Sequence, residues 1–182
     1  MPSAVLQRLA ARDPAHYPLL LDSAAQGPLS DASVLLAQPQ AALWLGADGR
    51  IGAEGHTPRG AGFLESLENW WRAEGAPDAG ERGAVAFAGG WALFLSYELA
   101  SELEPHLDLP RTPLPWKAFA LRTPCALVHE VRTGRVLLVA EEGAEEPARR
   151  VEADARAAAR ERQAPGRLRI ESVREEIGRA HV

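Results

Sequence analysis

The chain has 182 residues, 46% of them hydrophobic and 25% charged, with 20 Lys and Arg against 25 Asp and Glu for a formal net charge of −5. That is apolar material enough for one domain with a core plus a tail. The negative balance leaves no basic footprint for a polyanion, which excludes nucleic acid as a partner.

Met1 to Ala10 lacks the basic segment leading into an apolar stretch that marks a secretory signal. Pro18 precedes a short apolar run, Leu19-Leu20-Leu21, closed by Asp22-Ser23, and Ser33 to Gln38 and Ala41 to Gly46 are two further runs split by Pro39. These predict three early strands. Asp48-Gly49 suits a hairpin turn between Trp44-Leu45 and Ile51, because glycine takes positive φ without steric cost. Phe63, Leu64, Leu67, Trp70 and Trp71 then follow the i, i+1, i+4, i+7, i+8 pattern of one helical face. Both tryptophans are expected to anchor the core.

Gly75 to Gly83 is polar and rich in small residues, as a surface loop would be. Val85 to Phe87 and Trp91 to Tyr97 flank Gly89-Gly90, and a glycine pair inside a strand pattern marks a bulge or a close backbone approach. The whole apolar run from Ala84 to Leu95 falls short of the ~20 residues that a membrane-spanning helix needs. A soluble, cytoplasmic protein with no membrane contact is expected. Leu99 to Leu103 reads as a short helical segment, followed by a connector carrying Pro105, Pro110, Pro113 and Pro115. Ala118 to Leu121, Ala126 to Val131 and Val136 to Ala140 predict strands, with Thr133-Gly134 as the turn between the last two. The single cysteine, Cys125, opens an apolar run, has no partner for an internal disulfide and fits a buried strand position.

From Glu141 the composition changes to Glu, Arg and Ala, with Val151 the only large apolar residue as far as Gln163. High helix propensity with little to bury predicts a solvated helix or linker, so the domain is expected over 1–140 and a charged linker and tail over 141–182. The order strands, helix, strands, helix predicts an α+β fold, an antiparallel or mixed β-sheet with packed helices.

No nucleophile motif and no glycine-rich phosphate loop is present. His16, His56, His106, His129 and His181 are scattered, with no Cys or carboxylate at ligand spacing, so no metal site is assigned. Glu98 and Glu102 share a helical face at i, i+4, but without a His or Lys neighbour to split their pKa values they read as a solvated face. Lys117 reads as a solvated cation. No residue of the chain is assigned a catalytic role.

Two segments are more specific together than any of these. Tyr17-Pro18-Leu19-Leu20-Leu21-Asp22-Ser23-Ala24 and, some seventy residues on, Gly89-Gly90-Trp91-Ala92-Leu93-Phe94-Leu95-Ser96-Tyr97-Glu98-Leu99 are the segments concerned. They resemble the N-terminal domain of the aminodeoxychorismate synthase component I and anthranilate synthase component I family. The first matches a Leu-Leu-(Glu/Asp/His)-Ser motif. The second matches Gly-Gly-x-x-Gly-x-x-(Ser/Gly)-Tyr-(Glu/Asp), with Leu93 at the position of the third glycine. Glu104-Pro105 and the later strand pair fit as well, and the resemblance covers Tyr17 to Ala140. Asp22 and the ending Tyr97-Glu98-Leu99-Ala100 lean towards the aminodeoxychorismate branch, with the anthranilate branch as runner-up.

The resemblance implies a domain that does no chemistry itself. It would pack against a C-terminal chorismate-binding domain carrying the Mg²⁺ and substrate residues, in an enzyme that takes ammonia from a glutamine amidotransferase subunit. It further implies that Leu21, Asp22 and Ser23 form one wall of an amino-acid pocket, with tryptophan as the ligand. On the residues alone, Asp22-Ser23 also reads as the cap of a turn. A free-standing amino-acid-binding regulatory module is the reading from a different class. The chain is expected to be a fragment: Leu168 to Glu176 falls where the family approaches its catalytic domain, and Glu176 to Val182 resembles translated adapter sequence.

Overall fold

The computed structural model describes residues 3–23, 31–75, 87, 89–107, 109 and 113–161. Apart from Gly75, the loop expected over Gly75 to Gly83 lies outside the described residues, as do Ala24, Val85, Pro110 and the tail from 162 onward. Helix α1 (Ser3–Arg12) leads into strands β1 (Leu19–Leu21), β2 (Ala32–Ala37), β3 (Ala41–Gly46) and β4 (Ile51–Glu54). Helix α2 (Phe63–Glu74), β5 (Gly90–Leu95) and a 3₁₀ helix (Tyr97–Glu102) follow, then β6 (Trp116–Thr123), β7 (Cys125–Glu130), β8 (Val136–Ala140) and α3 (Glu145–Arg160). The strands form two four-stranded sheets, β1-β2-β7-β8 and β4-β3-β6-β5. Every pairing is antiparallel, so the expected α+β fold resolves to its antiparallel form.

One bent ribbon joins the sheets. β2 pairs with β7 up to Ala37 opposite Cys125, and β3 pairs with β6 from Ala41 opposite Arg122. The chain therefore turns from one sheet into the other at Gln38-Pro39-Gln40 on one strand and at Thr123-Pro124 on its partner. Gln38 takes a left-handed conformation at this corner (φ 56°), and its N–H donates to the His16 carbonyl at 2.7 Å. Proline on both sides ends the ladder where the bend requires it.

Strand alternation sorts the core into three layers. Leu35, Ala37, Cys125 and Leu127 point from the first sheet towards Leu6 and Leu9 of α1 and Val151 and Ala158 of α3. Val34, Leu36, Ala126 and Val128 point from its other face into a layer that Leu19 of β1 and Ala92 of β5 also join. On the second sheet Leu43, Leu45, Ala118 and Ala120 pack under Phe63 and Trp70 of α2 and Leu99 of the 3₁₀ helix. Cys125 is fully buried, and burial pushes its thiol pKa up to about 11.

Three expectations change. The helix from Glu145 is no solvated linker: Val151 is 0% exposed and Ala158 3%. Ala144, Ala148, Val151, Ala155 and Ala158 recur at alternating four- and three-residue steps, which makes a seam of small residues that lets the helix lie close on the sheet. Tyr17, 1% exposed, donates its hydroxyl to Asp154 of α3 at 2.7 Å; burial, followed by that carboxylate, raises its pKa. Arg8 reaches the Glu161 carbonyl at 2.7 Å and Arg12 its carboxylate at 2.6 Å, so α1 is tied to the C-terminal end of α3. α1 was not anticipated by the sequence reading. The third change is in α2, where Trp70 is 2% exposed but Trp71 is 47% exposed. The buried face centres on Phe63, Ser66 and Trp70, and at about 100° per residue Trp71 lies more than a quarter-turn off it.

Candidate functional site

The residues singled out in β1 lie at the open end of the first sheet. Leu21 is 57% exposed at the edge strand. Asp22, just past it, has both carboxylate oxygens engaged: Gln7 of α1 donates to Oδ2 at 2.9 Å and the Ser33 hydroxyl to Oδ1 at 2.8 Å. These two hydrogen bonds, Gln7's first, hold the carboxyl below its usual pKa. The Ser23 N–H donates to Ser33 Oγ at 3.0 Å. Ser33 stands across the ladder from His129, a 9% exposed side chain whose Nδ1 has no hydrogen-bond partner among the described residues. The strand end is thus a polar cluster of Asp22, Ser23, Ser33 and His129, of which the sequence reading found the first two. Nothing in the sequence marks Ser33 or His129, since their association is made by strand register.

The Glu98 and Glu102 pair does not form a solvated face. Glu102 reaches the N-terminus of α2, where Oε1 accepts from the Phe63 N–H at 2.8 Å and Oε2 from the Leu64 N–H at 3.0 Å. Gly62, the N-cap residue of that helix, has no side chain to do this. A carboxylate from the 3₁₀ helix therefore satisfies two donors that a helix N-terminus leaves unpaired, and it meets the positive end of the helix dipole. Glu102 thus caps the start of α2.

The second cluster is centred on Arg122, at the corner between the sheets. Its guanidinium makes a two-pronged pair with Glu141 (2.8 and 2.6 Å), bonds Glu74 of α2 at 2.9 Å and lies 4.6 Å from the centroid of Trp91. Glu74 in turn accepts the Trp70 indole N–H at 2.9 Å. Gly89, at φ 99°, approaches the Glu141 side chain so closely that any Cβ would overlap it, which accounts for the glycine between the two strand-like runs. Leu93, at the position where the motif has glycine, is 53% exposed, and its neighbour Phe94 stacks on Phe119 across the strand pair at 5.4 Å.

A cleft of about 670 Å³ lies between residues 55–59 and α2, lined by His56, Thr57, Arg59, Asn69 and Trp70. The His56 ring stacks on Trp70 at 4.4 Å and 17°. Burial lowers the His56 pKa, Glu74 opposes that and Arg59 adds to it. Among the described residues no group of three His, Cys, Asp or Glu is placed to hold a metal ion, and no helix is long and apolar enough to cross a membrane.

No protein-family model matches the chain, and no curated protein matches it. Among solved structures, anthranilate synthase component I from Streptococcus pneumoniae TIGR4 is similar, with a TM-score of 0.53 and 14% identity over 78% of this chain. At that identity the likeness is one of fold. The chain spans 32% of the length of that synthase subunit.

Proposed function

We propose that this chain is the N-terminal, non-catalytic part of aminodeoxychorismate synthase component I. The whole enzyme would work in the cytoplasm, converting chorismate and ammonia to 4-amino-4-deoxychorismate for p-aminobenzoate and folate. A glutamine amidotransferase subunit would supply the ammonia. The observation that carries this reading is the position of the two motif segments within a fold similar to a synthase component I. They form β1 and β5 on different sheets, and Leu19 and Ala92 from them join one apolar layer. The anthranilate branch is kept as the second reading because the similar structure is an anthranilate synthase component I.

A covered surface is favoured over a free-standing module by where the apolar exposure falls. Leu93, Leu95, Tyr97, Leu103, Leu107, Leu114 and Trp116 are all more than 40% exposed, and all fall between β5, an edge strand of the second sheet, and the start of β6. Soluble monomers rarely leave large apolar patches uncovered, and a chorismate-binding domain would cover this one. The Mg²⁺ would belong to that domain. The described residues offer it no ligand group, so no step of the reaction is assigned to them.

The whole gene product, given chorismate, ammonia and Mg²⁺, is expected to release 4-amino-4-deoxychorismate, and the 182-residue chain alone to release none. Anthranilate as the product would assign the other branch. Product from the 182-residue chain, abolished by Glu98→Gln, would overturn the division of labour.

Within this reading Leu21, Asp22 and Ser23 line an amino-acid pocket, in which the ionised Asp22 receives an α-ammonium group and Ser23 a polar atom. An indole burying roughly 150–250 Å² contributes about 4–6 kcal/mol before association costs, so a partial pocket binds weakly. Calorimetric titration of the whole gene product with tryptophan should show binding that Ser23→Ala weakens. Absence of heat at millimolar ligand, with no change in thermal midpoint, would leave Asp22-Ser23 as a turn cap only.

A further inference from the structure

We propose that the cleft between residues 55–59 and α2 binds a small aromatic carboxylate, with Arg59 taking the carboxylate and the face of His56 taking the ring. Its volume of about 670 Å³ lies within the range of roughly 300–1,000 Å³ usual for small-ligand sites. Its floor is planar and fixed: His56 is stacked on Trp70, and Trp70 is wedged edge-on against Trp91 at 5.9 Å and anchored through its indole N–H to Glu74. An imidazole already held flat loses little freedom when a ring settles on it.

The charge at the cleft is cationic and uncommitted. Arg59 is the one formally charged residue of the lining, is exposed, and forms no ion pair among the described residues. It stands close enough to His56 to depress the imidazole's pKa. The carboxylates of α2 are engaged elsewhere: Glu74 by Arg122 and Trp70, Glu68 by Arg72 at 2.6 Å, and Glu65 by the Ala61 N–H at 2.7 Å. A guanidinium with free donors beside an aromatic platform matches a planar carboxylate, which it can engage through two parallel hydrogen bonds. Burial disfavours a charge on His56, so the anion preference rests on Arg59.

The site is also preformed. The Asn69 side-chain amide donates to the Arg59 carbonyl at 2.7 Å, and Gly55 takes a left-handed turn (φ 66°) that a side chain would resist, so the segment is held against α2 without a ligand. This proposal does not depend on the synthase reading.

The test is a titration of the full 182-residue chain with benzoate, followed by the NMR signals of the Trp70 indole N–H and the amides of 55–59. Saturable shifts confined to those signals are expected in the millimolar range. Benzyl alcohol, which lacks the charge, and acetate, which lacks the ring, should each bind about tenfold more weakly. Arg59→Gln should weaken benzoate about tenfold with an unchanged thermal midpoint, while Arg59→Lys retains part of the affinity. Shifts that do not saturate, that spread over other surfaces, or that are the same in Arg59→Gln would overturn the proposal.

Discussion

Arg122→Met is expected to destabilise the protein by about 2–4 kcal/mol and to lower its thermal midpoint by about 5–12 °C. The methionine keeps most of the apolar stem and removes the guanidinium, which leaves the Glu74 and Glu141 carboxylates facing one another without a cation. Breaking a fully buried pair in this way costs about 3–5 kcal/mol. Here the arginine side chain is 13% exposed but Glu74 keeps 34% and Glu141 26%, so water reclaims part of the loss and the figure is set lower. Arg122→Lys should recover only part, because a single ammonium cannot span both carboxylates and stack on Trp91. The triple change Arg122→Met, Glu74→Gln, Glu141→Gln should be milder than the single one. An equal or larger loss in the triple variant would show that the charges are not what the arginine holds.

The same cluster sets a pH dependence. Burial raises the Glu74 pKa, but the hydrogen bonds from Arg122 and Trp70 outweigh it, so the folded value falls below that of an ordinary glutamate. A carboxylate with a depressed folded pKa contributes stability that is complete above the unfolded value and is lost as pH falls through the folded one. The gap in thermal midpoint between the parent chain and Arg122→Met should therefore be widest near neutral pH and narrow as pH falls below the usual carboxylate range, through the lower folded pKa of Glu74.

The strands were legible because alternation and turn residues are local properties, and every strand predicted over described residues is present with Gly49 and Gly134 at positive φ in the expected turns. What the sequence hid were features made by small residues or by distant ones. α3 carries its apolar seam on alanines, which a search for large side chains passes over, although Ala144, Ala148, Val151, Ala155 and Ala158 are at helical spacing. Val5, Leu6 and Leu9 of α1 were similarly readable in principle. Arg122, Glu74 and Glu141 are brought together by the bend between the sheets, and no local pattern announces them. Glu98 and Glu102 looked alike in sequence, and only the tertiary arrangement separates them, by giving one of them a helix terminus.

That helix terminus gives the second large effect: Glu102→Ala should destabilise the protein by about 2–3 kcal/mol, or about 5–9 °C in thermal midpoint. Two backbone donors, those of Phe63 and Leu64, lose their acceptors, and Phe63 is fully buried, so water cannot replace both bonds without opening the start of the helix. Glu102→Gln should cost about half as much, since the amide keeps one accepting oxygen. The decisive variant is Gly62→Ser. Gly62 sits in extended backbone (φ −137°, ψ 178°) that any residue adopts, and serine there is a favoured N-cap. In the parent chain a Cβ at Gly62 would come within 3.0 Å of Glu102 Oε2, so the serine displaces the existing cap and should be neutral or destabilising. In the Glu102→Ala background that space is empty, and the same serine should restore about 1 kcal/mol by accepting from the first turn. A change of sign between the two backgrounds, measured by denaturant midpoint, identifies Glu102 as the cap of α2. Additive effects would mean that the helix start is held by packing of Phe63 alone.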